Sequence, residues 1–255
     1  MSATGALAKR SIIGTLRQPA VLVPSIFFPL FFAALNSASF ERTTRLPGFP
    51  VVRSFLDFML AATVVQGVLF GGTGGGTDMA VDIQDGFFDR LLTAPVPRWT
   101  LLVGRLAGSA VLGAVQGVVF TVALMAFGAR LQGGVAAFVV IVLVGMVLAL
   151  AIGGFGLALA LRTGSSESVQ ASFPVFFISL FLSSAFFPRN LMHGWFKTAA
   201  GINPLSWLIE GLRNLVINGW AVRYVVNSLA VAAALAVVSI VVSSLALRRR
   251  LRGMW

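Results

Sequence analysis

Six stretches of this chain are apolar over about the 20 residues that a helix needs to cross a bilayer. They run over 20–40, 55–77, 101–128, 135–161, 169–188 and 224–247. Inside a bilayer every backbone N–H and C=O needs a partner within the protein, so such segments fold as helices. The composition agrees. Of all residues 58% are hydrophobic and 11% charged, against about 45–50% and 25% in a soluble domain. A soluble fold would lack the polar side chains to cover its surface. The sequence therefore predicts an all-α, polytopic integral membrane protein: one transmembrane domain over 1–255, with no internal repeat. Lys9, Arg10 and Arg17, with Ser37-x-Ser39 further on, have the look of a signal peptide. The basic lead and the apolar run are both long for one, so this stretch reads as a span.

The net charge of +11 comes from 19 basic and 8 acidic residues. In a soluble chain it would suggest nucleic acid. In a membrane chain it reads as loop charge that sets orientation, and no nucleic-acid partner is expected. Six spans put both termini on one side, with eleven basic residues there and eight on the other. The clusters flanking the first and last spans place both termini in the cytoplasm. No cysteine and a single histidine, His193, exclude disulfides and leave no Cys- or His-based metal centre.

Two loops stand out. Residues 189–223, between the last two spans, are apolar and aromatic, with Trp195, Phe196, Trp207 and Trp220. Asn203-Pro204 interrupts them, and 204–216 has the length of a short helix. Irregular backbone at membrane depth is tolerated where protein buries it, so this reads as a pair of short re-entrant helices. The second loop holds four of the eight acids: Asp78, Asp82, Asp85 and Asp89, at i, i+4, i+7 and i+11. At about 100° per residue they share an arc of about 60°. Ala80, Ile83, Phe87 and Leu91 lie opposite. The pattern predicts an amphipathic helix with an acidic stripe, weakened or bent at Gly86 and stopped by Pro95 and Pro97. A solvated face is the bland explanation. But like charges at i,i+4 repel, so the stripe favours a basic partner surface, or Arg10 and Arg17 of the same chain. The preferred reading is a docking or coupling element.

Catalytic chemistry finds little support. Asp82-x-x-Asp85-Gly86-x-x-Asp89-Arg90 resembles the first half of the CDP-alcohol phosphotransferase signature, found in six-span enzymes that hold metal with four aspartates. Here no acid stands between Asp89 and Glu167, so half of the carboxylate cage is missing and no metal site is expected. Lys197-Thr198 follows Phe196 rather than a Gly-rich loop, so the chain carries no phosphate-binding motif and any ATP hydrolysis belongs to another chain. His193 and Ser165-Ser166 fall on opposite sides of the membrane, which excludes a Ser–His pair. Gln66 and Gln116 lie mid-span. Interhelical hydrogen bonding is their default role, and a substrate path the alternative. Arg53 and Asp57 are spaced for a local ion pair. Ser109, Gly113 and Gly117 form a small face suited to tight packing, and Gly71–Gly76 reads as close packing or flexibility at the end of the second span. No ladder of buried charges suggests proton coupling, which favours an external energy source over an ATP-independent channel or carrier.

Two segments carry a family likeness. Asp85-Gly86-Phe87-Phe88-Asp89-Arg90-Leu91-Leu92-x-x-Pro95-Val96-Pro97-Arg98, with Gly104-Arg105 beyond it, resembles the stretch between spans two and three of type-2 ABC exporter permeases of the daunorubicin-resistance type. Asn203-Pro204-Leu205-Ser206-Trp207, followed by Glu210-Gly211-Leu212-Arg213, is similar to their element before the last span. The resemblance implies a permease without catalytic residues or a bound cofactor. A second permease, identical or not, would pair with it. Two ATP-binding subunits carrying ATP and Mg would dock beneath, near a coupling helix over 82–92 that includes Asp82, Asp85, Gly86, Phe87, Asp89, Arg90 and Leu91. Segment 5–18 would lie along the membrane of a bacterial cell. The cargo would be an amphipathic drug, antibiotic or lipid.

Overall fold

The computed structural model describes residues 3–93, 97 and 99–252. Among them every regular element is helical: α1 Ala3–Leu16, α2 Pro19–Phe40, α3 Phe55–Gly71, α4 Gly74–Gln84, α5 Phe87–Thr93, α6 Trp99–Ala126, α7 Gly134–Thr163, α8 Ser166–Gln170, α9 Phe173–Phe181, α10 Gly194–Ile202, α11 Pro204–Ile217 and α12 Val222–Arg252. Short 3-10 turns follow α2 and precede α10. Pro95, Val96 and Arg98, on which part of the expected helix stop and motif rested, lie outside the described residues.

Five helical stretches are long and apolar enough to cross a bilayer: Pro19–Arg45, Phe55–Gln84, Trp99–Ala126, Gly134–Thr163 and Val222–Arg252. They overlap five of the six stretches read from sequence. The remaining one, 169–188, is not a continuous helix. Pro174 has no N–H to offer the preceding turn, and the chain forms α8 and α9 with Ala171 and Ser172 between them. This broken segment still has to return across the bundle. α7 and α12 run parallel: Gly154 packs on Ser239, and further along Arg250 Nη1 donates to Leu161 O at 3.1 Å. Residues 164–221 therefore lead back to the end from which α7 began. We call the end holding α1 and the close of α12 the terminal end, and its opposite the far end.

Packing follows the small residues. A Cβ on Gly113 of α6 would lie 2.3 Å from Gly145 O, and one on Gly76 of α4 would lie 2.4 Å from the Gly156 carbonyl carbon. Both contacts put backbone against backbone, as the small face suggested. The glycine run from Gly71 does not end the second span. Only Gly72 and Thr73 step between α3 and α4, and the helical course continues to Gln84. α3 sits at the centre, with Phe58, Leu60, Val64 and Val68 fully buried. It is apolar on all sides, which is how a helix without a solvated or lipid face reads. The expected Arg53–Asp57 ion pair is absent among the described contacts. Asp57 instead accepts the backbone N–H groups of Arg53, Ser54 and Arg130, at 3.2, 3.4 and 2.7 Å. This closes the start of α3 and ties it to the loop after α6.

Candidate functional site

At the terminal end, α1, α4, α5, the start of α6 and the ends of α7 and α12 share a second core of Met79, Phe88, Leu101, Leu161 and Leu247. α1 fits here because α6 presents Gly104 and Gly108, one turn apart, to Leu7 and to Ser11 and Thr15. The Ser11 hydroxyl donates to Arg105 O at 2.9 Å.

The acidic stripe does not stay whole. α4 ends at Gln84, and Gly86 adopts φ +69°, a left-handed conformation that costs glycine little. The chain turns there and α5 leaves on a new axis. Asp82, before the break, is buried with 7% of its surface exposed. One of its oxygens meets the guanidinium of Arg105, and the other accepts from Arg10 Nη2 at 3.2 Å. Asp78 lies 3.9 Å from Arg105 Nη1 and accepts from Gln18 Nε2 at 2.9 Å. Two carboxylates and two guanidiniums thus compensate one another in a half-dry cluster. Of the two basic residues expected to offset the stripe, Arg10 does so. Gln18, rather than the exposed Arg17, takes the second place.

Asp85, at the close of α4, is exposed, and so are Asp89 and Arg90 beyond the break. Phe87 lies beneath the Arg10 guanidinium, 4.0 Å from ring centroid to Cζ, so Arg10 touches both α4 and α5. Phe88 is buried, with Arg250 nearby. Leu91 joins Phe88, Met79, Leu7 and Leu101 around the side of the ion-pair cluster. α5 is therefore an amphipathic turn held to the bundle by Phe88 and Leu91. Its charged residues point away.

The far end is organised by the second motif. Asn203 caps α11, its Oδ1 accepting Leu205 N–H at 2.9 Å, and Pro204 opens the helix where its missing N–H does no harm. The Asn203 amide donates to Ser179 O and Leu182 O at 2.6 and 3.1 Å, closing the end of α9. Arg213, 4% exposed, donates to Phe58 O, Ser184 O and Ala185 O at 3.1, 2.8 and 2.9 Å. Its guanidinium lies 3.6 Å from the Phe58 ring centroid. Ser206 Oγ accepts Ser184 N–H at 3.0 Å. The irregular backbone after α9 is thereby satisfied by side chains of α11, the condition for such backbone at membrane depth. Glu210 pairs with Arg189, whose guanidinium lies 4.5 Å from the Trp207 ring centroid.

The two mid-span glutamines differ. Gln116 Nε2 donates to Ser25 Oγ at 3.2 Å and Gly67 O at 2.9 Å, fastening α6 to α2 and α3. Gln66 is 1% exposed, and neither amide atom has a partner among the described residues.

Among the described residues no three acidic or imidazole side chains gather closely enough to hold a metal ion. Sequence reasoning passed over Arg105, Arg189 and Ser206 as fasteners. Arg105 had a signal, since a charged residue inside an apolar span wants a partner. Ser206 had none.

Residues 2–217 match the family model described as ABC-2 type transporter. The chain is 31% identical over 198 residues to the daunorubicin resistance ABC transporter permease protein DrrB1 of Streptomyces coeruleorubidus, covering 77% of this chain and 66% of that one. It is 27% identical over 217 residues to the putative transport permease ycf38 of Porphyra purpurea, covering 84% and 73%. It is 26% identical over 179 residues to the probable doxorubicin resistance ABC transporter permease protein DrrC of Mycobacterium tuberculosis, covering 69% and 65%.

Proposed function

Because the chain belongs to the ABC-2 type transporter family, we propose that it is the membrane-spanning subunit of an ATP-driven exporter whose ATPase is a separate chain. The terminal end faces the cytoplasm, as the basic residues flanking α2 and closing α12 favour. The ATPase docks on α5 and the turn that leads into it, through Asp85, Asp89 and Arg90. The observation that carries this reading is the division of the acidic stripe: Asp78 and Asp82 are satisfied inside the chain, whereas Asp85, capping α4, and Asp89, on α5, stay exposed on either side of the Gly86 turn. Like-signed exposed carboxylates on a rigid mount suit a basic partner surface.

Two such permeases and two ATPase subunits complete the exporter, in a bacterial cell membrane, with ATP and Mg held by the ATPase. The cargo is an amphipathic drug, antibiotic or lipid. Gln66 is the candidate for contact with it, since an unpartnered buried amide costs about 1–3 kcal/mol. Gln116 serves first as a fastener. The test is to express the chain with a nucleotide-binding subunit from the same source, purify the permease, and measure ATP hydrolysis and cargo export in vesicles. Co-purification with ATP-dependent export is the expected result. Transport by the purified chain alone, with no ATPase and no ATP, would overturn the reading in favour of a carrier.

A further inference from the structure

At the far end, α2 stands away from α6 and leaves a cavity of about 450 Å³, open on one side. One wall is a single face of α2, running from Ala34 through Ser37 and Ala38 and prolonged by Glu41 just past its end; the other is made by Leu56, Leu124 and Phe127. The room exists because Ala34 and Ala38 stand one turn apart where larger residues would close it. Everything about the lining is apolar except the Ser37 hydroxyl and the Glu41 carboxylate.

Glu41 is unlike the other acids at this end. Asp57 is buried beneath three backbone N–H groups. Glu210 is paired with Arg189. Glu41 uses one oxygen to accept Phe55 N–H at 3.0 Å, and its other oxygen has no partner among the described residues. Arg42 and Arg45 follow it in the chain, but neither lines the cavity. Across the mouth Phe127 presents an exposed ring, a surface that attracts cations. A carboxylate with a free oxygen, an aromatic face and an apolar recess form a consistent set: they suit a ligand with a positive charge at one end and apolar bulk at the other. An uncharged acyl chain would leave the carboxylate without use.

We propose that this cavity binds an amphipathic organic cation, with its apolar body against Ala34, Ala38, Leu56 and Leu124 and its charge between Glu41 and Phe127. This site narrows the cargo class of the exporter reading and rests on that reading only in calling the ligand cargo. The binding itself is independent of any ATPase.

The test uses the full chain in nanodiscs of phosphatidylglycerol, with tetraphenylphosphonium and tetraphenylborate as probes of nearly equal shape and opposite charge. Saturable tetraphenylphosphonium binding is expected, with weak or no tetraphenylborate binding. Glu41→Gln keeps the bond to Phe55 N–H and should weaken tetraphenylphosphonium about tenfold, or ~1.4 kcal/mol. Ala38→Phe, at an exposed position that tolerates bulk, should abolish saturable binding without lowering the melting temperature. Unchanged affinity in Glu41→Gln, or equal affinity of the native chain for the two probes, would overturn the proposal. So would loss of binding on adding phosphatidylethanolamine, which would assign the site to a lipid amine. None of these results bears on whether an ATPase docks, so the two readings fail separately.

Discussion

The Arg105 guanidinium meets the Asp82 carboxylate where α6 crosses α4, and Arg10 of α1 takes the remaining Asp82 oxygen. One carboxylate therefore joins three helices at the end that bears both termini. Movement of α5 would reach the bundle through this junction as well as through Phe88.

Asp82→Asn or Arg105→Leu each leaves a charge without its buried partner. Breaking such a pair costs about 3–5 kcal/mol, so both variants should melt at clearly lower temperature in detergent. The exchange Asp82→Arg with Arg105→Asp should recover part of the loss. Equal melting of the single variants and the native chain would show that the junction carries no stability.

Asp85→Lys with Asp89→Lys should behave in the opposite way. Both residues are exposed, and surface charges away from packed groups change stability by about 0.5 kcal/mol or less. Melting should be unchanged while co-purification with the ATPase is lost. Intact export in this double variant would remove α5 as the docking element.

Arg213→Met keeps much of the volume but leaves Phe58 O, Ser184 O and Ala185 O unpaired. Hydrogen bonds to a charged group contribute about 1.5–3 kcal/mol each, so the segment after α9 should become sensitive to proteolysis before the spans do. Asn203→Ala should loosen the same segment to a smaller degree, since it also loses a helix cap of about 1 kcal/mol.

Gly74 and Gly76 stand two residues apart and should respond oppositely to alanine. Gly76→Ala drives a Cβ into the Gly156 backbone, and overpacking of this kind costs about 1–3 kcal/mol. At Gly74 nothing lies within 4 Å, so Gly74→Ala should gain up to about 1 kcal/mol from helix propensity. Thermal melting of the two variants decides the matter.

Gln66→Leu removes an amide whose two polar atoms are buried and without a partner among the described residues. The variant should be as stable as the native chain or more so, while ATP-driven export falls. If export is unaffected, Gln66 is not on the cargo path.

Much of the architecture was legible in residue order, because bilayer crossing is a local property. Length and apolarity marked five helices that the structure holds, and the spacing of Ser109, Gly113 and Gly117 marked the close contact with α7. The pattern around Asn203-Pro204 marked α11 within a residue or so of its bounds. Pro174 carries a signal for the break in 169–188, which the reading of that stretch as one span passed over.

What periodicity could not supply is what stands opposite a face. Four aspartates on one arc looked equivalent, and their fates diverged because α1 and α6 bring Arg10 and Arg105 beside Asp78 and Asp82, while α4 ends before Asp85 and Gly86 turns the chain ahead of Asp89. Asn203 and Arg213 were recognisable as a motif, yet the carbonyls they satisfy belong to α9, the loop beyond it and α3. A residue's own helix determines its direction. Its charge partner, its burial and therefore its availability to another protein depend on helices distant in sequence, and only tertiary packing decides those.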